Sequence, residues 1–491
     1  MGGGRRGQSP GVHEMLNRLR GVMLAMSLLC LTTLTWAREV APTPPMGWNS
    51  WDSYGLTIDE AGFKANAMEL ARLRSFGWTY AVIDEGWYMG NPFGDKLQNR
   101  QYVLDAHGLL VPAPLRYPSS AGGKGFKPLA DWVHGQGLKF GLHIVRGIPK
   151  QAVETNLPIA GSSFHAADAA DTGDLCGWDD GNYGVRDNLA GQAYYDSMLA
   201  LYAGWGLDFI KVDCIADHPY KASEIRQIAA AIQKTGRPIV LSLSPGPTQP
   251  AHAAEIARYA QMWRISNDIW DRWHFVHEPP KEDDFPIGVR DIFERLQPWV
   301  GQARDGRWPD ADMLPFGMLA PHPGLGEARH TRLTLDEERT QLTLLAIARS
   351  PLILGANLTQ LDGETRALIT NRDVIAINQS AQDSHPVEKL PAGLENVRVW
   401  VASGTGRRAR SMPPATSLPP HRQQSLRYVA VFNLDDKAVS VEASWNQLGL
   451  EPGRLAVRDL WGGRSLDASD RLVVNLPAHG CALYAVIRRA L

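Results

Sequence analysis

DFIKVDCI, at residues 208–215, is an apolar, β-branched run that predicts a buried strand. Near its end stand Lys211, Asp213 and Cys214, where a turn signal would be expected. Lys211 and Asp213 are two residues apart, so they lie on one face of a strand. Because a buried carboxylate needs a partner, this pair indicates a functional site. An ion pair that only closes the strand would fit this octapeptide equally well.

Seven other runs repeat this pattern of an apolar strand that ends in polar residues. They lie at residues 46–52, 79–87, 139–146, 239–245, 262–268, 308–314 and 351–357. Segments with helical spacing lie between the runs, and the one after Thr334 and Glu337 begins with a capping-box pattern. Eight strands that alternate with helices over about 340 residues predict an α/β fold, the (β/α)₈ TIM barrel. In that fold the C-terminal ends of the strands form the active site.

After residue 379 the pattern changes to short alternating strands separated by turn residues, which predict a C-terminal antiparallel β-sandwich. We therefore expect three parts: a signal peptide at residues 1–37, a catalytic barrel at 38–382 and a sandwich domain at 383–491. Residues 404–424 are rich in Pro, Ser and Arg and interrupt the sandwich pattern as a predicted mobile loop.

The N-terminus has the features of a secretory signal. Arginines precede an apolar run at residues 22–36, and Thr35 and Ala37 are the small residues of a cleavage site. This pattern predicts a secreted or periplasmic protein that is cleaved after Ala37. A retained membrane anchor is the alternative, although the run is short for a membrane span.

Composition excludes several function classes. The 491 residues are 44% hydrophobic, so the chain can bury a large core. Their formal net charge of −2 argues against a nucleic-acid or anionic-membrane partner. There is no glycine-rich phosphate loop in place. The 16 Trp residues include aromatic faces that could stack on sugar rings. We expect an oligosaccharide or polysaccharide substrate and no cofactor.

The polar residues at the strand ends resemble the lining of a sugar pocket, in which carboxylates accept hydrogen bonds from hydroxyls and an indole face packs on the ring. The candidate substrate-binding residues are Trp51, Asp84, Glu85, His143, Arg146, Lys211, Ser244, Arg264 and Asp312.

Two further acids at these strand ends suit glycoside cleavage. This reaction needs one carboxyl group that is ionised and a second that is protonated. Asp213 is the candidate nucleophile, because Lys211 and Arg264 would favour its charged form. Asp268 is the candidate acid/base, because the apolar residues that follow it would raise its pKa. Taken singly, each Asp would fit a structural cap or ion pair as well.

Other chemistries fit the sequence less well. His134, His143 and His165 show no close His-x-x-x-His pairing, so we predict no metal site. Ser242 and Ser244 lack the glycines of a nucleophile elbow.

Three cysteines remain after the predicted cleavage, and two arrangements are open. A disulfide between Cys176 and Cys214 would tie a loop beside the candidate site and leave Cys481 over. Three buried thiols would fit as well.

Six ordered motifs resemble glycoside hydrolase family 27, the α-galactosidase and α-N-acetylgalactosaminidase family of clan D. They are TPPMGWNSWDSYG (43–55), AVIDEGW (81–87), FIKVDC (209–214), MWRISND (262–268), WPDADML (308–314) and TQLTLLAIARSPLILGANL (340–358). The resemblance implies a retaining double displacement on a barrel followed by a β-sandwich.

The same resemblance implies roles for individual residues. Asp213 matches the family's nucleophile and Asp268 its acid/base. Trp51 matches the tryptophan that packs on the sugar. Asp84 matches the first of two acidic residues that bind the hydroxyls at carbons 4 and 6, and Lys211 matches the lysine that binds the neighbouring hydroxyls. Arg264 and Asp312 match the pair around the carbon-2 hydroxyl.

Four departures from the family pattern affect specificity. Glu85 stands where the family usually has Asp, and His143 stands where it commonly has Tyr. The family's Cys-Glu-Trp stretch is replaced by LSPGP (243–247), and the connection at 147–188 is long. We expect an α-galactosidase that hydrolyses terminal α-D-galactosyl residues. The alternatives are the same mechanism on β-L-arabinopyranosides, α-N-acetylgalactosaminides or isomalto-dextran, and a non-catalytic carbohydrate-binding protein.

Overall fold

The computed structural model describes residues 1–3, 40–92, 101–276, 285–304, 306–320, 327–404, 426–450, 455–466 and 470–488. Nearly all of the predicted signal peptide and of the predicted loop at 404–424 lies outside these described residues. The helices in the described part of the chain lack the length and apolarity needed to cross a membrane.

Eight parallel strands form a closed barrel, which confirms the predicted fold. They are β1 (Met46–Asn49), β2 (Tyr80–Ile83), β3 (Lys139–Val145), β4 (Phe209–Asp213), β5 (Val240–Leu243), β6 (Met262–Arg264), β7 (Trp308–Asp310) and β8 (Leu352–Leu354). Strands β1 to β7 pair in chain order and β8 pairs with β1. A parallel bridge between Leu314 and Leu354 joins the two ends of the sheet.

Helices cover the outside of the barrel between successive strands and after β8. They are α1 (Glu60–Leu73), α2 (Lys127–Gly135), α3 (Leu189–Trp205), α4 (Ala222–Thr235), α5 (Ala253–Tyr259), α6 (Ile292–Leu296), α7 (Leu335–Ala348), α8 (Gly363–Ile369) and α9 (Arg372–Ser380). The capping box predicted for α7 is present, because Thr334 Oγ1 accepts from the Glu337 amide and Glu337 Oε2 from the Thr334 amide. Helix α3 is capped at its C-terminus by Gly206, whose φ of 100° suits a glycine.

The long connection after β3 has secondary structure of its own. Three short strands, Ile148–Pro149, Ala170–Leu175 and Asn182–Val185, form an antiparallel sheet at the C-terminal end of the barrel strands. Of the two arrangements that the sequence left open, the disulfide is present: it joins Cys176 in this connection to Cys214 after β4, with Cα atoms 6.0 Å apart. Among the cysteines that the structure describes, Cys481 is free.

The C-terminal region is an antiparallel β-sandwich, as predicted. Its strands are β9 (Gln382–Pro386), β10 (Val397–Ser403), β11 (Leu426–Asn433), β12 (Val439–Ser444), β13 (Leu455–Asp459), β14 (Ser465–Leu466), β15 (Arg471–Leu476) and β16 (Cys481–Arg488). Six of them form one sheet, and β12 pairs with β15 in the other.

The larger sheet of the sandwich has two apolar faces. Val399 and Val431 point into the sandwich core, whereas Trp400 and Phe432 belong to the same buried cluster as the barrel helices. The ring of Phe432 lies 5.1 Å from that of Phe293 in α6, edge to face. The sandwich therefore buries its inner sheet against the barrel. The predicted boundary at residues 382/383 stays a prediction.

Candidate active site

The inward-facing side chains of the barrel change from apolar to charged along each strand. Because side chains alternate across a strand, residues two apart share the inward face. In β4 this series is Phe209, Lys211 and Asp213, and in β7 and its extension it is Trp308, Asp310 and Asp312. The apolar members form a small buried cluster inside the barrel. Lys211, Asp213 and Asp312 line a cavity at the C-terminal ends, and Asp310 lines a smaller cavity that shares Lys211 and Asp312 with it.

This cavity has a volume of about 580 Å³. It brings together nine of the eleven predicted catalytic and substrate-binding residues, including both catalytic candidates. The nine are Trp51, Asp84, Glu85, Lys211, Asp213, Ser244, Arg264, Asp268 and Asp312.

Asp213 is the last residue of β4, and its carboxylate is held in the ionised form. Its Oδ1 accepts a hydrogen bond from the Cys214 amide at 2.6 Å, and its Oδ2 lies 3.3 Å from Nε2 of His143. Burial alone would raise the pKa of Asp213. The His143 ring, the Lys211 charge and the Cys214 amide outweigh burial and hold that pKa below its usual value. An ionised carboxylate at this position can act as a nucleophile.

His143 supports Asp213 from behind the cavity wall. Residues 143 and 211 are paired in the β3–β4 register, so His143 faces inward beside Lys211. The His143 side chain is 1% exposed, and its Nε2 also lies 3.9 Å from Oδ1 of Asp84. Because His143 faces inward, its ring contacts the candidate nucleophile Asp213 directly.

Asp84 and Lys211 form an ion pair at the bottom of the cavity. Lys211 Nζ lies 2.9 Å from Asp84 Oδ2, and the same oxygen accepts from Asn49 Nδ2 at 2.6 Å. Burial opposes the charge on both groups, yet the electrostatic interactions with His143 and Lys211 hold the pKa of Asp84 well below its usual range. Asp84 and Asp213 likewise raise the pKa of Lys211 against burial. Both groups are therefore charged and can bind sugar hydroxyls.

Arg264 connects Asp268 to Asp312. Its Nη2 lies 3.1 Å from Asp268 Oδ1 and 2.8 Å from Asp312 Oδ2. Asp312 is buried and also accepts a hydrogen bond from the Ile269 amide. Burial and the charges of Asp268 and Asp310 raise the pKa of Asp312, while Arg264 opposes that shift. Asp268 is the more accessible acid, because its side chain is 33% exposed and that of Asp213 is 18% exposed.

Glu85 lies on the cavity wall beside Asp84 and makes a carboxyl–carboxyl contact. Burial raises the pKa of Glu85 well above its usual value, and the charge of Asp179 and a hydrogen bond to it raise the pKa further. A hydrogen bond between two carboxyl groups requires a shared proton. Asp179 comes from the long connection after β3, so this contact joins the connection to the barrel.

The structure does not bring Arg146 to the cavity, although it was predicted to bind substrate. Residues 143 and 146 are three apart, so the two side chains point to opposite faces of β3. The Arg146 guanidinium is occupied by both oxygens of Asp174, by Glu224 Oε1 and by the Cys214 carbonyl. It connects three segments behind the site.

The cavity also contains residues to which the sequence assigned no role. Asp52 follows Trp51 directly and is one of the polar residues at the strand ends, whereas Trp178 and Asp179 come from the long connection. Asp52 is 2% exposed, and its Oδ2 has no hydrogen-bond partner within the described part of the chain. A strand-end signal was present for Asp52, whereas a loop residue gives no such signal. Among the residues that the structure describes, no group of three His, Cys, Asp or Glu side chains is arranged to hold a metal ion.

Comparisons with known proteins point to one family. The sequence model described as "Alpha galactosidase A" matches residues 177–380, and that of the "Alpha galactosidase C-terminal beta sandwich domain" matches residues 419–486. An alpha-galactosidase A from Cellvibrio japonicus is 27% identical over 458 residues, which cover 90% of this chain and 91% of the relative.

Two solved structures are similar over almost the whole chain. One is a family 27 β-L-arabinopyranosidase from Geobacillus stearothermophilus, with 39% identity, a TM-score of 0.81 and coverage of 93% of this chain and 98% of that one. The other is a putative α-N-acetylgalactosaminidase from Bacillus halodurans, with 35% identity, a TM-score of 0.74 and coverage of 91% and 97%.

Proposed function

Because the chain belongs to glycoside hydrolase family 27, we propose that it is a retaining exo-glycosidase that removes terminal β-L-arabinopyranosyl residues. A β-L-arabinopyranoside presents the ring of an α-D-galactoside without the hydroxymethyl group at carbon 5. The two substrates therefore place the same ring hydroxyls and the same anomeric centre in the cavity.

The two cavity acids divide the reaction between them. In the first step Asp213 attacks the anomeric carbon and forms a glycosyl ester, while Asp268 gives its proton to the departing oxygen. In the second step Asp268 takes a proton from water, the water oxygen bonds to the anomeric carbon, and Asp213 leaves as a carboxylate. Two inversions at one carbon retain the configuration of the product.

Charged groups at the bottom of the cavity suit the ring hydroxyls. Asp84 and Lys211 are an acceptor and a donor held 2.9 Å apart, so each can also bind a hydroxyl from the sugar. Trp51 is half-buried on the wall and offers an indole face to the ring. Arg264 holds the carboxyl groups of Asp268 and Asp312 in position, so these side chains need little rearrangement during the reaction.

The observation that carries the preference for arabinopyranoside is Glu85. It stands where the family usually has Asp, and it is one methylene longer. Glu85 is 8% exposed and its carboxyl group contacts Asp179, so it cannot turn away without breaking that contact. A longer side chain beside Asp84 reduces the space for a hydroxymethyl group. The 39% identity to an enzyme named as a β-L-arabinopyranosidase supports the same choice.

An α-galactosidase is the second candidate. The Cellvibrio japonicus relative that is 27% identical over 90% of the chain is named as one. The charged groups that would bind the ring hydroxyls fit both sugars, so Glu85 is the residue that separates the two proposals.

The test is the turnover of four aryl glycosides: β-L-arabinopyranoside, α-D-galactoside, α-N-acetylgalactosaminide and α-glucoside. We expect the highest kcat/KM on the first, and a proton spectrum in which the first-formed sugar has the configuration of the substrate. Asp213→Asn should lower kcat by on the order of 10⁴-fold or more with an unchanged fold. No turnover on any glycoside, together with sugar affinity that survives in Asp213→Asn, would support a non-catalytic carbohydrate-binding protein instead.

We also propose export through the N-terminal segment, with cleavage after Ala37. Sequencing the N-terminus of protein recovered from the extracellular or periplasmic fraction tests this. A mature chain that begins at Arg38 is expected, and a chain that retains the apolar run would support an anchor.

A further inference from the structure

The cavity has a charged inner end and an aromatic outer end. At the inner end the side chains of Lys211 and Arg264 are 14% and 4% exposed. At the outer end Trp178 is 42% exposed and Phe285 is 43% exposed, and both line the same cavity. Charged groups therefore surround the position of the reacting sugar, whereas large apolar rings remain open at the entrance.

Trp178 is exposed although the chain on both sides of it is fixed. Cys176 is 5% exposed and bonded to Cys214, which follows the candidate nucleophile. Asp179 is 3% exposed, and its Oδ1 accepts from the Gly181 amide at 2.9 Å. Two buried residues therefore hold an indole ring open at the cavity entrance. A large aromatic side chain held in this way can bury its face against a ligand with little loss of conformational entropy.

The two candidate catalytic acids give the direction of the leaving group. Asp213 is 18% exposed and Asp268 is 33% exposed, so the proton donor lies nearer the entrance than the nucleophile. The departing oxygen must face the proton donor. The group attached to that oxygen then extends outward, toward the aromatic end of the cavity.

We propose that Trp178 and Phe285 form a binding subsite for the leaving group, and that this leaving group is a six-membered ring with an apolar face. This inference rests on the proposed function, because it concerns the other half of the same substrate. A pyranose ring of an oligosaccharide and an aryl ring share this chemistry, since either can stack on an indole.

The experiment compares substrates that differ only in the leaving group. The leaving group of a glycosyl fluoride has no ring, that of a p-nitrophenyl glycoside is an aryl ring, and that of a disaccharide is a pyranose. Each is measured with the parent, Trp178→Ala, Trp178→Phe and Phe285→Ala, in the sugar series that the parent turns over best. Leu115→Ala is the matched control, because Leu115 is 94% exposed and does not line the cavity.

We expect Trp178→Ala to lower kcat/KM by about tenfold on a substrate whose leaving group is a ring, and by less than about twofold on the fluoride. Trp178→Phe should restore part of the loss, and Phe285→Ala should show the same selectivity. A loss confined to the disaccharide identifies the ring as a sugar, and a loss confined to the aryl glycoside identifies it as an aryl group.

Equal losses on all three substrates, or no loss on any, would overturn the subsite. A parent that turns over none of the three contradicts the proposed function instead, so the two failures are distinguishable. Far-ultraviolet circular dichroism of every variant shows whether a loss comes from unfolding.

Discussion

The Nε2 atom of His143 lies 3.3 Å from Oδ2 of Asp213, across the β3–β4 strand pair. The contact is made inside the barrel by two residues that sequence separates by 70 positions. It places a nitrogen donor against the carboxylate that we propose as the nucleophile. A residue on the neighbouring strand therefore helps to lower the pKa of Asp213.

We expect His143→Phe to move the acidic limb of the kcat/KM profile to higher pH. The substitution removes the hydrogen bond and the electrostatic interaction with the His143 ring that lower the pKa of Asp213, so the carboxylate protonates at a higher pH. His143→Tyr keeps a hydrogen-bond donor and should shift the limb less. His107→Phe, at an exposed histidine away from the cavity, is the control. An unchanged acidic limb in His143→Phe would contradict the assignment.

Asp268→Ala should lower kcat/KM by about 10² to 10⁴-fold on substrates whose leaving group needs a proton. The loss should be smaller for a leaving group that departs as a stable anion, because the first step then needs less help. Added azide should accelerate the variant by attacking the glycosyl ester in place of activated water, and the product should be a glycosyl azide. If azide gives neither acceleration nor this product, Asp268 is not the acid/base.

Glu85→Asp should shift the preference from β-L-arabinopyranoside toward α-D-galactoside. Removing one methylene opens space for the hydroxymethyl group, and a change of this size in a pocket alters discrimination by about 10-fold or more. The ratio of kcat/KM for the two aryl glycosides is the measurement. Glu85→Gln is the matched control, since it keeps the length and should keep the preference. Equal ratios in the parent and Glu85→Asp would place the specificity elsewhere.

The sequence predicts those parts of the molecule that follow from strand periodicity. Eight apolar runs located the barrel strands, and the spacing of Lys211 and Asp213 placed both on the inward face. The same rule, applied at β3, separates His143 from Arg146, which are three residues apart. A strand-end position alone does not identify the face, so it does not exclude Arg146 from the substrate-binding residues.

Contacts from the long connection could not be predicted in this way. Asp179 and Trp178 reach the cavity because a disulfide and a small antiparallel sheet fold the connection back over the barrel. The sequence allows a disulfide between Cys176 and Cys214. Such a bond predicts only that some part of the connection lies near the site. Which side chain then faces the cavity depends on packing, for which a loop has no periodicity.

Reduction of the Cys176–Cys214 bond should lower both stability and turnover. The bond closes a loop of 38 residues, and a loop of that length corresponds to about 4 kcal/mol in the chain-entropy estimate. Cys176→Ser, Cys214→Ser and the double variant should therefore unfold at a lower urea concentration than the parent. Turnover of the aryl glycoside should fall as well, because the bond holds the segment that contains Trp178 and Asp179. The reductant should have no effect on the double variant, which controls for Cys481.

Asp52→Asn should stabilise the protein at neutral pH and not at acidic pH. Burial raises the pKa of Asp52 well above its usual value, and the charges of Asp312, Asp268 and Asp84 raise it further while Lys211 opposes them. The folded state therefore keeps a proton that the unfolded chain releases above about pH 4. As the pH rises from that value toward the folded-state pKa, the parent loses stability, since the unfolded state binds fewer protons.

The amide of the Asp52→Asn variant has no proton to lose in this range, so the difference in Tm between the variant and the parent should grow from about pH 4 to neutral pH. Thermal unfolding of both proteins across this range is the measurement, and Asp187→Asn, at an exposed carboxylate paired with Arg226, is the control. Parallel curves for the parent and Asp52→Asn would mean that Asp52 titrates alike in the folded and unfolded states. The acid would then be ionised in the cavity, and its Oδ2, which has no hydrogen-bond partner among the described residues, would be an acceptor for a sugar hydroxyl.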